Sequence, residues 1–253
     1  MTFGSGVIAL WRPNAAHSAR RLIDYRVCNM ISDMSGVAEM KRARGARGWT
    51  QTEAAQRLGV SQGYVSLLES GRRPVSHGLA QSLRRTLGLS PSTLPPSELN
   101  LDPDRLPGVL GALGYEPFGY LRGRLLNPTA VLLSALRQKN LPSRVVEALP
   151  WLAWHFPDLN REWLVERAKM HNVQNRLAYV VTLASELAVG GAAAQLQELV
   201  LELEPSRLAR EDTLCHDSMT NTERRWLRQQ RSQQAEHWNL LTDLRREHLP
   251  YAA

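Results

Sequence analysis

The groups best suited to act on another molecule lie between Gln51 and Arg73. Gln51, Gln62 and Ser66 carry amides and a hydroxyl that both donate and accept hydrogen bonds, the capacity needed to read a base edge. Arg72 and Arg73 present charged forks that match phosphate oxygens. Gly63 and Leu67 stand among them with no polar group to offer. One other segment gathers reactive types: Arg210-Glu211-Asp212 followed by Cys215-His216-Asp217. A thiol, an imidazole and acids at that spacing could form a nucleophilic site. We read it instead as a solvated connector or a partner-contact loop. The sequence has no phosphate-binding glycine loop, no HExxH and no Gly-x-Ser-x-Gly, so no catalytic residue and no cofactor is assigned.

Two short helices must hold the first group. Thr50 can cap a helix that begins at Gln51, its hydroxyl accepting an orphan amide of the first turn. Ala55 is small where helices cross closely, and Leu58 ends the apolar stripe. Gly59 follows, and glycine takes the left-handed conformation that stops a helix. Val60 fills the wedge. Ser61 caps a second helix from Gln62 to about Ser70, with Val65 and Leu68 on its inner face and with Gly71 and Pro74 as stops. A preceding helix is expected from Val37 to about Ala46, and a following one over Ser76–Leu87, ended by Gly88.

The phrase WTQTEAAQRLGVSQGYVSLLESGRRP, with Gln51, Ala55, Gly59, Val65 and Leu68 in register, resembles the helix-turn-helix of the Cro/cI-like (XRE) regulators. The resemblance runs from about Val37 to Leu89. It implies a five-helix domain whose third helix reads bases in the major groove of duplex DNA. By position, Gln62, Gly63, Ser66 and Leu67 would face the groove. Gln51 would brace a phosphate and the side chain of Gln62. Tyr64 would sit near the backbone, and Ser61, Arg72 and Arg73 would hold phosphates. Gly63 and Leu67 depart from the polar readers usual in that family, which leaves the base sequence open.

Charge is distributed as such a module requires. Nine basic residues face three acidic ones between 37 and 90, a net +6 of the chain's +7. Phosphate neutralisation drives non-specific affinity, so a basic module on a near-neutral body fits a nucleic-acid partner. Arginine outnumbers lysine 28 to 3 along the whole chain, which a GC-rich coding sequence explains without any function. Two distant cysteines, Cys28 and Cys215, argue against a disulfide framework and a structural metal site. No apolar run approaches the ~20 residues of a membrane span, and the cytoplasm is the expected location.

Residues 1–36 have weak periodicity and read as a flexible arm or a marginal helix. Residues 37–90 form the DNA-binding unit. Residues 91–103, SPSTLPPSELNLDP with the preceding serine, have the proline and serine content of a semi-rigid linker. Residues 104–253 read as an all-α unit for dimerisation or partner binding. Its helices are expected over Asp104–Leu113, Pro128–Gln138, from Pro142 with a kink or break at Pro150, Asn160–Met170, from Asn172 or Val173 through Leu187, Ala192–Leu203 after a Gly190–Gly191 separator, and Thr222–Leu244. Between the first two lies a loop in which Tyr115, Phe118 and Tyr120 anchor to a core, or stack on nucleic acid beside Arg122 and Arg124. His171 is expected to end its helix as a cap. Short connections suit antiparallel helices in a bundle or a short stack. The overall expectation is an all-α chain.

Within this second unit, EALPWLAWHFPDLNREWLVERAK, NRLAYVV and LAREDTLC…ERRWLR…HWNLLTDL resemble antitoxin-type regulators paired with nucleotidyltransferase-like toxins of the abortive-infection class. That resemblance implies a toxin partner for residues 104–253. The functional expectation is a DNA-binding transcription regulator, a repressor acting as a homodimer and no enzyme. The alternatives are an antitoxin with such a partner and an interaction scaffold with non-specific DNA binding.

Overall fold

The computed structural model describes residues 36, 38–73, 75–93 and 96–251. The expectations placed on the N-terminal arm, on Val37 as a helix start and on Pro74 as a stop lie outside them. The described chain is mostly helical. A helix-turn-helix unit precedes a larger helical region, as the all-α expectation required.

Helix α1 includes 38–46, followed by α2 (Gln51–Leu58), α3 (Gln62–Glu69) and α4 (His77–Leu87). The fifth helix implied by the family resemblance is shortened to a 3-10 turn, Pro91–Thr93. Met40, Ala55, Leu58, Val65, Leu68, Leu83, Leu87 and Leu89 form the core of this unit. Each amphipathic stripe named from the sequence contributes at least one of them.

The Pro/Ser segment is docked rather than a tether. Ser92 is buried and donates to the Asp158 carboxylate at 2.5 Å. Thr93 donates to Glu39 at 2.8 Å. Leu99 and Leu101 pack on the larger core. The Leu101 amide donates to Ser134 at 3.0 Å, and its carbonyl accepts from Gln138 at 3.0 Å. Glu98 pairs with Arg167 at 3.2 Å and with His171 at 3.4 Å. Prolines prevent a continuous α-helix here, but the described residues still dock through the bonds of Ser92, Thr93 and Leu101.

The larger region runs α5 (Leu106–Leu113), α6 (Pro128–Leu136), α7 (Ser143–His155), α8 (Arg161–Met170), α9 (Gln174–Ser185), α10 (Gly190–Leu203), α11 (Asn221–Gln230) and α12 (Gln233–His237). Helix α9 is central. Leu177, Ala178, Tyr179, Val180, Val181 and Ala184 are fully buried, and α7 and α10 pack against it. A helix buried on nearly every side must lie at the centre, and its polar Gln174, Asn175 and Arg176 are hydrogen-bonded there.

Three local expectations are corrected. Of the kink or break expected at Pro150, the break is excluded, since helix α7 continues through that residue. A proline removes one amide and displaces the carbonyls of the preceding turn, and here the Glu147 carbonyl accepts from the Tyr251 hydroxyl at 2.6 Å. Gly190 and Gly191 form the first turn of α10 instead of separating it. The long last helix is broken between Gln230 and Gln233, where Ser232 caps α12 through the Ala235 amide at 3.1 Å. Beyond it β2 (Leu240–Leu241) pairs in parallel with β1 (Asp212–Thr213), the single sheet among the described residues. In the loop after α5, Tyr115 and Phe118 are core residues, whereas Tyr120 is exposed. His171 occupies the C-cap of α8, as its place at a helix end suggested.

Candidate nucleic-acid interface

The local chemistry of the turn explains how α3 is held. Thr50 Oγ1 accepts from the Glu53 amide at 3.2 Å, and Glu53 Oε2 accepts from the Thr50 amide at 2.7 Å. This reciprocal cap satisfies two groups at the start of α2. Gly59 ends α2 with φ 68°, a conformation that penalises any side chain. Ser61 then caps α3, its Oγ accepting from the Tyr64 amide at 3.2 Å. Gly71, at φ 66°, turns the chain after α3. The amides of Arg72 and Arg73 donate back to the Leu67 carbonyl at 3.0 and 3.2 Å, so both arginines begin just past the helix end.

Gln51 and Gln62 meet across the turn. Gln62 Nε2 donates to Gln51 Oε1 at 2.7 Å, and Gln51 Nε2 donates to Glu69 Oε2 at 2.9 Å. The chain of contacts ends on Arg44, whose Nε and Nη2 fork onto the Glu69 carboxylate at 2.6 and 3.0 Å while Nη1 donates to the Trp49 carbonyl at 2.6 Å. The Glu69 side chain is only 4% exposed. Burial alone would raise its carboxyl, but the Arg44 and Gln51 hydrogen bonds outweigh it and hold the group below its ordinary range. The bond from Arg44 in turn raises the guanidinium against a smaller opposing effect of burial. Arg44, counted with the basic groups of the module, is therefore spent inside it. Sequence reasoning missed this pair. The available signal was an acid, Glu69, directly beside the inward Leu68.

The outer side of α3 is open. Ser61, Gln62, Gly63, Arg72 and Arg73 are exposed, while Tyr64 and Ser66 are half-buried. Leu67 is an exposed large apolar side chain. Arg73 lies over the Tyr64 ring, 4.7 Å from its centroid, and Arg57 lies over Trp49 at 4.1 Å. Cation–π contacts of this kind orient a guanidinium without neutralising it. All nine residues expected to meet DNA therefore fall on α3, its two ends or the adjoining start of α2.

The Cys215 segment offers no such surface. Cys215 is fully buried, and burial pushes its thiol up to about 12, far from a thiolate at neutral pH. Asp212 and Asp217 pair with Arg176 at 2.8 and 3.3 Å. Among the described residues no cluster of His, Cys, Asp and Glu could hold a metal ion, and no helix is long and apolar enough to cross a membrane.

No curated protein and no solved structure matches the chain. Residues 40–94 match the model of the family described as Helix-turn-helix, which supports a DNA-binding regulatory domain of the XRE type, not an enzyme family, at this place in the chain.

Proposed function

We propose that the chain is a repressor of transcription that binds duplex DNA as a homodimer, with α3 in the major groove. The observation that carries this reading is the Gln51–Gln62 hydrogen bond at 2.7 Å, which fixes an amide at the exposed start of α3 inside a module of net charge +6. Gln62, Gly63, Ser66 and Leu67 face base edges. Gln51, Ser61, Tyr64, Arg72 and Arg73 contact phosphates, which position the helix without specifying sequence. One module reaches too few base pairs for selective repression, so two are needed, about one helical turn apart. Residues 37–90 act as the DNA-binding unit and 104–253 supply dimerisation.

Binding to the DNA upstream of its own gene, titrated at several salt concentrations, tests the proposal. Gln62→Ala is expected to weaken specific binding by about ten- to hundredfold. Arg72→Ala should weaken all sequences alike and reduce the salt slope by about 1. Parent-like binding by both variants, or binding indifferent to salt, would remove the reading.

One observation favours an additional protein partner. On α11, Trp226 is 54% exposed beside Arg225, and Leu227 is the helix's buried residue. Exposed Trp and Arg side chains are typical interface anchors. We propose that this helix contacts a toxin-like protein encoded beside the chain, making it an antitoxin as well. Co-expression with the neighbouring gene's product checks this: a complex lost on Trp226→Ala supports it, and the absence of any complex with the parent removes it.

A further inference from the structure

The outward face of α3 is unusual in being bare. Val65 and Leu68 point into the core. At 100° per residue, the opposite face is centred on Gly63, with Ser66 and Leu67 on its two sides and Ser70 one turn on. Gly63 has no intramolecular reason to be glycine. Nothing lies within 4 Å of where its Cβ would stand, and its φ is not positive. Leu67 has no intramolecular reason to be leucine, because it is 38% exposed and takes no part in the core formed by Met40, Leu58, Leu83 and their neighbours. An exposed leucine one turn from an unneeded glycine makes a shallow apolar step on a basic surface.

The major groove offers one apolar feature on its base edges, the C5 methyl of thymine. A hydroxyl or amide gains little from that methyl, whereas a leucine excludes water from it. The missing side chain at Gly63 lets the helix approach closely enough for Leu67 to reach base edges. Gln62, tied to Gln51 through one N–H, keeps its own Oε1 and a second N–H for an adjacent base.

We propose that Leu67 is a specificity-determining residue that reads thymine C5 methyl groups, and that Gly63 provides the depth it needs. The inference rests on the DNA-binding function proposed above. Each half-site then contains at least one thymine whose methyl group packs on Leu67, one helical turn's reach from the base met by Gln62.

The test uses the full chain and a site selected from random duplex DNA. Each thymine is replaced singly by deoxyuridine, which removes the methyl and leaves base pairing intact. At one or two positions per half-site the parent should lose about fourfold in affinity, the worth of one buried methyl. Leu67→Ala should bind the parent sequence more weakly and be indifferent to the same replacements, while Leu67→Met keeps the sensitivity. Thermal unfolding of all three should agree, since Leu67 lies outside the core. Parent binding indifferent to every replacement overturns the inference and leaves the DNA-binding function standing. Leu67→Ala remaining as sensitive as the parent, or losing dimerisation with its methyl sensitivity unchanged, also overturns it and places Leu67 on another contact. Absence of duplex binding by the parent removes both proposals.

Discussion

Two residues of α3 separate stability from function. Gly63 has open space around it and ordinary backbone angles, so Gly63→Ala should fold without strain. Alanine reduces the freedom of the unfolded chain, and the variant should gain about 0.5 kcal/mol in denaturant unfolding. Its affinity for selected DNA should fall about tenfold, because in the proposed docking the added methyl stands where the helix meets the groove. A variant both more stable and tighter binding would show that this face is not the one used. Glu69 gives the opposite case, a residue whose work is internal. Its carboxyl titrates below the ordinary value because Arg44 and Gln51 bond to the charged form more than burial penalises it. A depressed carboxylate stabilises the fold above its unfolded pKa, and that contribution disappears as pH falls through the folded value. Helix-turn-helix stability should therefore drop below about pH 4.5, and Glu69→Gln should show a lower midpoint at pH 7 with a shallower acid slope. The cap residues Thr50 and Ser61 were legible because capping uses recognisable residue types. The Arg44–Glu69 pair was not, because the two residues are 25 positions apart and neither reveals its partner locally.

At the level of elements, the turn follows local rules that can be checked one at a time. Thr50→Ala removes the hydroxyl that accepts from the Glu53 amide, leaving only the backbone half of the reciprocal cap, and should cost about 1 kcal/mol, read as a lower melting temperature with unchanged DNA contacts in the folded fraction. Thr50, Gly59 and Ser61 were readable in the sequence because each satisfies or ends a helix using only neighbours in the chain. Where the sequence reading failed, distant groups had overridden such rules. Pro150 was expected to kink or break α7; the helix is not broken because both flanks of the proline are buried against the larger core, and the packing of Leu149, Trp151 and Leu152 outweighs one lost amide bond. Gly190 and Gly191 have the composition of a separator, yet Leu196, Leu199 and Leu203 dock α10 onto α9 and draw the glycines into its first turn. The last helix failed in the other direction. Periodicity from Trp226 to Leu241 suggested continuity, but Ser232 competes as a cap and Leu240 enters a strand pair with Asp212. The candidate site was thus more legible than the scaffold around it, since α3 depends on local chemistry and the larger region on tertiary packing.

Across the whole molecule, two separate cores are joined by the docked strap, and the larger one is closed by Arg176. Its guanidinium forks onto Asp212 at 2.8 Å with both Nε and Nη2, reaches Asp217 at 3.3 Å, and donates to the carbonyls of Leu136 and Gln138 at 3.0 and 2.8 Å. The Leu136 carbonyl is one of the orphan acceptors at the end of α6, so a single side chain caps one helix, belongs to another and anchors the segment that pairs β1 with β2. The Arg176 side chain is 7% exposed. Burial penalises its charge, and the Asp212 hydrogen bonds with the nearby charges more than restore it, so the guanidinium stays ionised. Arg176→Ala would take the guanidinium from the Leu136 and Gln138 carbonyls and leave the Asp212 and Asp217 carboxylates only their bonds from Thr213, and removing one partner of such a buried network costs about 3–5 kcal/mol. Arg176→Lys keeps the charge but not the fork, and should recover only part of that loss. The core around Val65 and Leu68 shares no residue with the one around Leu177 and Leu199. The early transition in Arg176→Ala should therefore appear in the environment of Trp151 and Trp238, while the affinity of a monomeric helix-turn-helix for duplex DNA, measured at low salt, stays within about twofold of the parent. Loss of dimeric, site-selective binding in the same variant would assign dimerisation to the region that Arg176 closes. Retention of both the parental unfolding midpoint and the parental site selectivity would show that this buried network holds neither the fold nor the assembly together.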